Sequence, residues 1–193
     1  AKARELREAG KDIIGLSLGE PDFTIPEFVK EAAIKAVEEN YHSYTPVDGY
    51  VELKKAIITK FKRDNGLTYT LPQIVVSTGA KQTLANLAQV LLNEGDEVLL
   101  PAPYWVSYAD ISKVAGGVPV EIKSTLENDF KVTPQALEAA ITPKTKMMVY
   151  SSPCNPSGSV YSKEELRALA DVLVKYPKII VVSDEIYEHI NFT

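Results

Sequence analysis

The chain has 193 residues, 45% hydrophobic and 24% charged, with a net charge of −5, one cysteine and two histidines. That is apolar material enough for one large α/β core, and it excludes a disordered chain, a disulfide-stapled scaffold and a zinc site built on several Cys and His side chains. Scattered basic residues under a negative balance argue against nucleic acid or an anionic membrane as partner, and no apolar run approaches a membrane span, so a small-molecule partner and a reducing, cytoplasmic location are expected.

Residues 1 to 9 place Ala, Leu and charges at helical spacing, with Gly10 as C-cap. Ile13–Leu18 reads as a short strand running into the turn Gly19–Phe23, and a helix follows Pro26 with Phe28, Val29, Ala32, Ala33, Ala36 and Val37 as its apolar face. The loop Tyr41–Tyr50 carries three tyrosines, which suits either ligand or partner contact or plain surface packing. Helix resumes from Val51 and stops at Asn65-Gly66. From Gln73 onward strands and amphipathic helices alternate. Strands are expected at Ile74–Ser77, Glu97–Leu100, Val118–Ile122, Lys146–Tyr150 and Ile179–Val182, the last buried on both faces. Helices are expected at Gln82–Asn93, around Val106–Ala115, after the Thr133-Pro134 cap, and from the Ser162-x-x-Glu165 capping box to Lys175. The pattern predicts an α/β fold, a mainly parallel sheet with helices on both faces and right-handed crossovers.

Ligands of such sheets sit beyond the carboxyl ends of the strands, so the strand-to-loop junctions carry the chemistry. The turn Ser77-Thr78-Gly79-Ala80-Lys81 opens a helix with free N–H groups, hydroxyls and an ammonium, a phosphate-sized set. Pro103-Tyr104-Trp105 offers a flat indole, while Asn155 is held between Pro153 and Pro156 with little freedom left to lose. The run Ile179–Val182 ends in Ser183-Asp184-Glu185-Ile186-Tyr187, where Asp184 serves either as a helix cap or as partner to a ligand cation. Phosphate site, aromatic plate, fixed amide, acid and phenol together suit pyridoxal 5'-phosphate, with Asp184 against the pyridinium nitrogen.

At these residues the sequence resembles the class I (fold type I) pyridoxal-phosphate aminotransferases, most closely the prokaryotic aspartate aminotransferase branch. The matching segments are Ser17–Phe23, Tyr44-Thr45-Pro46 through Gly49, Thr78–Gln82, Pro103–Tyr108, Ser152–Gly158 and Val182–Tyr187, in the family's order and approximate spacing. The resemblance implies an incomplete large domain of that fold over residues 26–193, a segment 1–25 belonging partly to the small domain, and further parts of both domains outside this chain. It implies that Gly79, Ala80 and Lys81 hold the phosphate through backbone N–H groups, with Tyr44 reaching it from the neighbouring subunit of a homodimer. Trp105 would stack on the ring, Asn155 and Tyr187 would bond its phenolic oxygen, and Asp184 its nitrogen. Gly19, Lys81, Trp105 and Asn155 would contact substrate, Lys81 through the distal carboxylate of an acidic amino acid. The expected activity of the full-length protein is amino transfer between L-aspartate and 2-oxoglutarate.

The family's Schiff-base lysine lies on a strand beyond the one carrying Asp184, past Thr193, so no catalytic residue falls in this chain and the isolated 193 residues are expected to be inactive. Such a chain is also expected to expose an apolar sheet edge. Aromatic, prephenate or alanine specificity stays open, as does a non-catalytic binding role. A nucleotide hydrolase would need a G-x-x-x-x-G-K-[ST] loop, which the sequence lacks. Asp184, Glu188 and His189 have a spacing that metals use, though packing or capping accounts for the histidine as well. Cys154 lacks a histidine base and reads as a small buried residue.

Overall fold

Four short aliphatic runs become the strands of one parallel sheet in the computed structural model, which describes residues 2–14, 19 and 23–190. They are β1 (Glu97–Pro101), β2 (Val118–Ile122), β3 (Thr145–Ser151) and β4 (Ile180–Asp184), in the spatial order β2-β1-β3-β4. The helices are α1 (Lys2–Glu8), α2 (Glu27–Glu38), α3 (Val51–Asn65), α4 (Ala80–Leu91), α5 (Ser107–Val114), α6 (Pro134–Ala140) and α7 (Lys163–Leu173). Contacts divide the chain into two units, Ala1–Pro46 and Val47–Thr193, and each is described by itself.

In the second unit the order of strands dictates where the helices go. The chain leaves β1 for β2 in one direction, then returns past β1 to β3 and β4 in the other. Right-handed crossovers therefore send α5 to one face and α6 and α7 to the opposite face. The packing follows this rule. Leu84 and Ala88 of α4 and Tyr108 of α5 lie against Val98, Leu100, Met147 and Val149. Leu137 of α6 and Leu169 and Val172 of α7 lie against Leu99 and Met148 on the other side. Successive residues of β1 thus enter different cores, as period-two side chains of a strand covered on both faces must.

Local signals account for the helix starts. Ser162 Oγ accepts from the Glu165 N–H at 3.1 Å and Glu165 Oε2 accepts from the Ser162 N–H at 2.6 Å, a reciprocal box that contributes about 1 kcal/mol. Thr133 Oγ1 accepts from the Ala136 N–H at 3.2 Å, with Pro134 in the first helical position.

Three expectations need correction. Ile74–Ser77 forms no strand, because among the described residues no neighbour completes a ladder beside it; the Val76 N–H goes to the Asp48 carbonyl at 3.1 Å. That contact brings Gly49 so near Val76 that a Cβ would lie 2.6 Å from its side chain, and φ there is +98°, so only glycine fits. β4 is not buried on both faces: among the described residues it is the edge strand, with Val182 packed on the core and Val181 45% exposed. The helix expected at Gln82–Asn93 runs from Ala80 to Leu91, beginning directly after Gly79.

In the first unit α1 ends before Gly10, whose φ is +76°. α2 carries the anticipated apolar stripe but buries none of it, Phe28, Val29 and Val37 all being exposed. The strand expected at Ile13–Leu18 and the turn at Gly19–Phe23 lie largely outside the described residues. No helix among the described residues is long and apolar enough to cross a membrane.

Candidate functional site

The order β2-β1-β3-β4 reverses direction between β1 and β3, and in open α/β sheets such a reversal leaves a crevice at the carboxyl edge. The loops flanking it are Ala102–Val106, after β1, and Ser152–Gly158, after β3. The expected residues Trp105 and Asn155 therefore come from its two walls, and Asp184 and Tyr187 from the end of the next strand.

Contacts join these loops. Cys154 Sγ donates to the Pro103 carbonyl at 3.3 Å, tying the asparagine loop to the tryptophan loop; this thiol is a structural tether. The Asn155 amide donates to the Tyr187 hydroxyl at 3.1 Å, bringing together two residues 32 positions apart. Lys81 Nζ stands 4.9 Å from the centre of the Trp105 ring, within cation–π range. Trp105 in turn meets Tyr108 edge to face, centroids 5.5 Å apart at 86°.

Asp184 is reached through Tyr108. The phenol donates to Asp184 Oδ2 at 2.7 Å, and the Ile186 N–H donates to Oδ1 at 3.3 Å. The helix cap expected of Asp184 does not form, because residues 185–190 make a turn and no helix; the second bond closes that turn and leaves the carboxylate acceptor capacity for a ligand. Burial, then the bond to Asp184 and its charge, push the Tyr108 phenol well above the ordinary tyrosine range, so it keeps its proton and remains a donor. Ser151, which pairs in register with Asp184, is buried with its hydroxyl unpartnered among the described residues. It lies near the Tyr108 phenol and offsets part of that push without completing a hydrogen bond to it.

At the start of α4, Gly79 turns at φ +84° with nothing within 4 Å of where a Cβ would stand. Its own N–H is spent on the Ser77 carbonyl at 2.8 Å, and the Thr78 N–H on Gln82 Oε1 at 2.5 Å. The N–H groups of Ala80 and Lys81 have no partner among the described residues and face out of the helix start, where the dipole favours an anion. From Lys81 a groove of about 190 Å³ runs between α4 and α5, past Ala85, Gln89, Asp110 and Ile111.

Tyr108 is the residue that sequence reasoning missed. It stood inside a quoted motif without a role; the available signal was its place one helical turn after Trp105. Tyr44 and Gly19 belong to the first unit and are both exposed there. Asp184, Glu188 and His189 form no metal-holding group among the described residues, because Glu188 turns toward α3.

Glu188 accepts from Lys60 and, at 2.6 Å, from Asn65, fastening the segment that carries Tyr187 to the end of α3. Lys60, then Asn65, hold its carboxyl below the ordinary glutamate range; His189 stands 3.6 Å away. A depressed native pKa means the unfolded chain binds more protons, so this stabilisation is complete above about pH 4.5 and fades as pH falls through the lower native value. Glu188→Gln is therefore expected to lower the urea midpoint of the full-length protein at pH 7, by the equivalent of under about 1 kcal/mol. The difference from wild type should shrink below about pH 4.5. An equal difference at pH 7 and pH 3 would refute it.

With this geometry in place, the comparisons add kinship. The family model for aminotransferase class I and II matches residues 11–193. The chain is 52% identical over 191 residues to an aspartate/prephenate aminotransferase of Cereibacter sphaeroides, covering 99% of this chain and 48% of that protein. Among solved structures it is similar to the aspartate aminotransferase of Rhizobium meliloti, with TM-score 0.96 and 46% identity over 100% of this chain and 48% of the other. It is also similar to that of Thermus thermophilus with maleate, with TM-score 0.94 and 47% identity over 100% and 51%. The chain spans about half the length of the curated relatives it matches.

Proposed function

The chain belongs to the class I and II aminotransferase family, and from that premise we propose that the full-length protein moves an amino group between an acidic amino acid, L-aspartate foremost, and 2-oxoglutarate, with pyridoxal 5'-phosphate as cofactor. The observation that carries this reading is the meeting of Asp184 with the Trp105–Tyr108 turn at the carboxyl edge of the sheet.

The donor set fits the cofactor. The open N–H groups of Ala80 and Lys81 and the unobstructed turn at Gly79 suit a phosphate. Trp105 supplies a plate for a planar ring, and the Asn155–Tyr187 pair two groups able to bond a phenolate oxygen. Asp184, already engaged by two donors, retains acceptor capacity for a protonated ring nitrogen. Bound there, the cofactor supplies the electron sink that lets the substrate's α C–H bond break. Asp184 holds the proton on the ring nitrogen by its charge, and Asn155 and Tyr187 orient the oxygen side. Lys81, its ammonium above the indole, offers a cation to the distal carboxylate of an acidic substrate, and Asn155 meets the α-carboxylate. That a structural relative was determined with maleate, a dicarboxylate, supports the acidic preference. Tyr44 completes the phosphate site from the partner subunit of a homodimer, and residues 26–193 form part of the cofactor-binding domain. The cytoplasm is the proposed location.

A second acceptor has specific support, because the Cereibacter relative is named for prephenate as well as aspartate. The test is a titration of the full-length protein with pyridoxal phosphate, followed by amino-transfer assays from aspartate to 2-oxoglutarate and from aspartate to prephenate. Uptake of one cofactor per chain and turnover with 2-oxoglutarate are expected. Absence of cofactor uptake, or turnover only with neutral amino acids, would overturn the reading.

A further inference from the structure

Tyr108 is 3% exposed, and nothing in the assigned roles uses it. Its ring is part of the core formed by Val98, Leu100, Met147 and Val149, so those side chains fix its position before any ligand arrives. Its hydroxyl is the only polar atom of the side chain, and that atom is spent on Asp184 Oδ2 at 2.7 Å.

The effect on Asp184 follows from counting acceptor positions. A carboxylate offers about four lone-pair directions. Oδ2 receives the Tyr108 phenol and Oδ1 the Ile186 N–H, so each oxygen has one donor fixing it and one direction left free. An aspartate held at a single oxygen can swing about its χ angles; one held at both cannot without breaking a charge-assisted bond. The Ile186 bond, at 3.3 Å, is the longer and belongs to the exposed turn after β4, whereas the phenol comes from the buried core. Of the two bonds, the phenol is the one that carries positional information from the interior.

We propose that Tyr108 is a positioning residue for the cofactor's ring nitrogen: through its bond to Asp184 it pre-sets the direction of the carboxylate, and through its place one turn after Trp105 it locks that direction to the plane of the indole. The link to Trp105 is geometric. The Tyr108 N–H donates to the Trp105 carbonyl at 3.0 Å, and the two rings meet at 86°. One helical turn at the start of α5 thus sets both the plate for the ring and, 76 residues later in the chain, the acid for its nitrogen. Pre-organisation of this kind raises affinity by removing the cost of ordering the acid when the ligand binds. The elevated pKa of the phenol, from burial and from Asp184, keeps the donor protonated throughout the working range.

The inference rests on the cofactor reading above, and the experiment separates the two. Tyr108→Phe and Asp184→Asn are made in the full-length protein. For each, pyridoxal-phosphate affinity is measured by equilibrium titration of the cofactor-free protein, the pH midpoint of the bound cofactor's absorption change is recorded, and thermal unfolding of the cofactor-free form is followed. Tyr108→Phe, which keeps the ring and removes only the hydroxyl, is expected to weaken cofactor affinity about tenfold and to displace the pH midpoint in the same direction as Asp184→Asn, by less. An Asp184→Asn protein with wild-type affinity and midpoint would sink the cofactor reading, and the inference with it. An altered Asp184→Asn protein beside a Tyr108→Phe protein with unchanged affinity and midpoint would overturn the positioning role alone. So would a Tyr108→Phe protein whose only change is a lower unfolding temperature, since that would make the phenol a piece of the core and nothing more.

Discussion

Replacing Asp184 by asparagine in the full-length protein is expected to lower kcat/KM for aspartate by about a thousandfold, the scale on which a single aimed electrostatic group acts in a dry site. The substitution is chosen for what it keeps. The asparagine carbonyl still accepts from the Tyr108 phenol or from the Ile186 N–H, so the network around the strand end is largely preserved while the charge is removed. Alanine would confound the result, because it strands the phenol of a tyrosine that is 3% exposed, and an orphaned buried donor costs about 1–3 kcal/mol in its own right. Steady-state kinetics with aspartate and 2-oxoglutarate, together with a urea melt of the same protein, make the check. A near-normal unfolding midpoint with kcat/KM down by orders of magnitude is the expected pairing. An asparagine variant within threefold of wild type would remove Asp184 from the mechanism.

The second large effect concerns the sheet itself. Leu99 is fully buried in β1, which lies between β2 and β3, and its side chain meets Leu137 and Met148 on the face covered by α6 and α7. Its neighbours Val98 and Leu100 point to the opposite core, so neither can move across to fill a void on the Leu99 side. Leu99→Ala is therefore expected to cost about 3–4 kcal/mol, from the upper part of the range for buried leucines at sites that collapse poorly. That is a large share of the roughly 5–15 kcal/mol that separates a folded protein from its unfolded chain. Val118→Ala, on the edge strand β2 and 47% exposed, is the control and should stay within about 0.5 kcal/mol. Denaturant unfolding of both variants decides it: if the two cost the same, the two-core packing is wrong.

Much of this architecture was legible because its causes are local. The Ser162-x-x-Glu165 box, the Thr133-Pro134 start and the Asn65-Gly66 stop each act within a few residues, and each appears where the chain signals it. Met147, Met148 and Val149 form an unbroken apolar run, which is the mark of a strand buried on both faces, and the structure divides them between two cores. Asn155, Trp105 and Asp184 could be singled out because each stands just past such a run, with side chains too costly to leave idle there.

What escaped the sequence depends on partners far along the chain. Ile74–Ser77 has the composition of a strand, yet a strand exists only where a neighbour offers its N–H and C=O groups; among the described residues none does, and no local pattern reports this. The bond between Tyr108 and Asp184 spans 76 positions and arises because β1 and β4 flank β3 in a parallel sheet. Composition, apolar period and cap residues by themselves determined which segments coil, which extend and which polar groups wait at their ends, since each of these follows from a few neighbouring backbone dihedrals. Which of those groups meet was decided only by the order of the strands and the faces their crossovers were forced to take, because hydrogen bonds act over about 3 Å and only folding brings such distant residues so close.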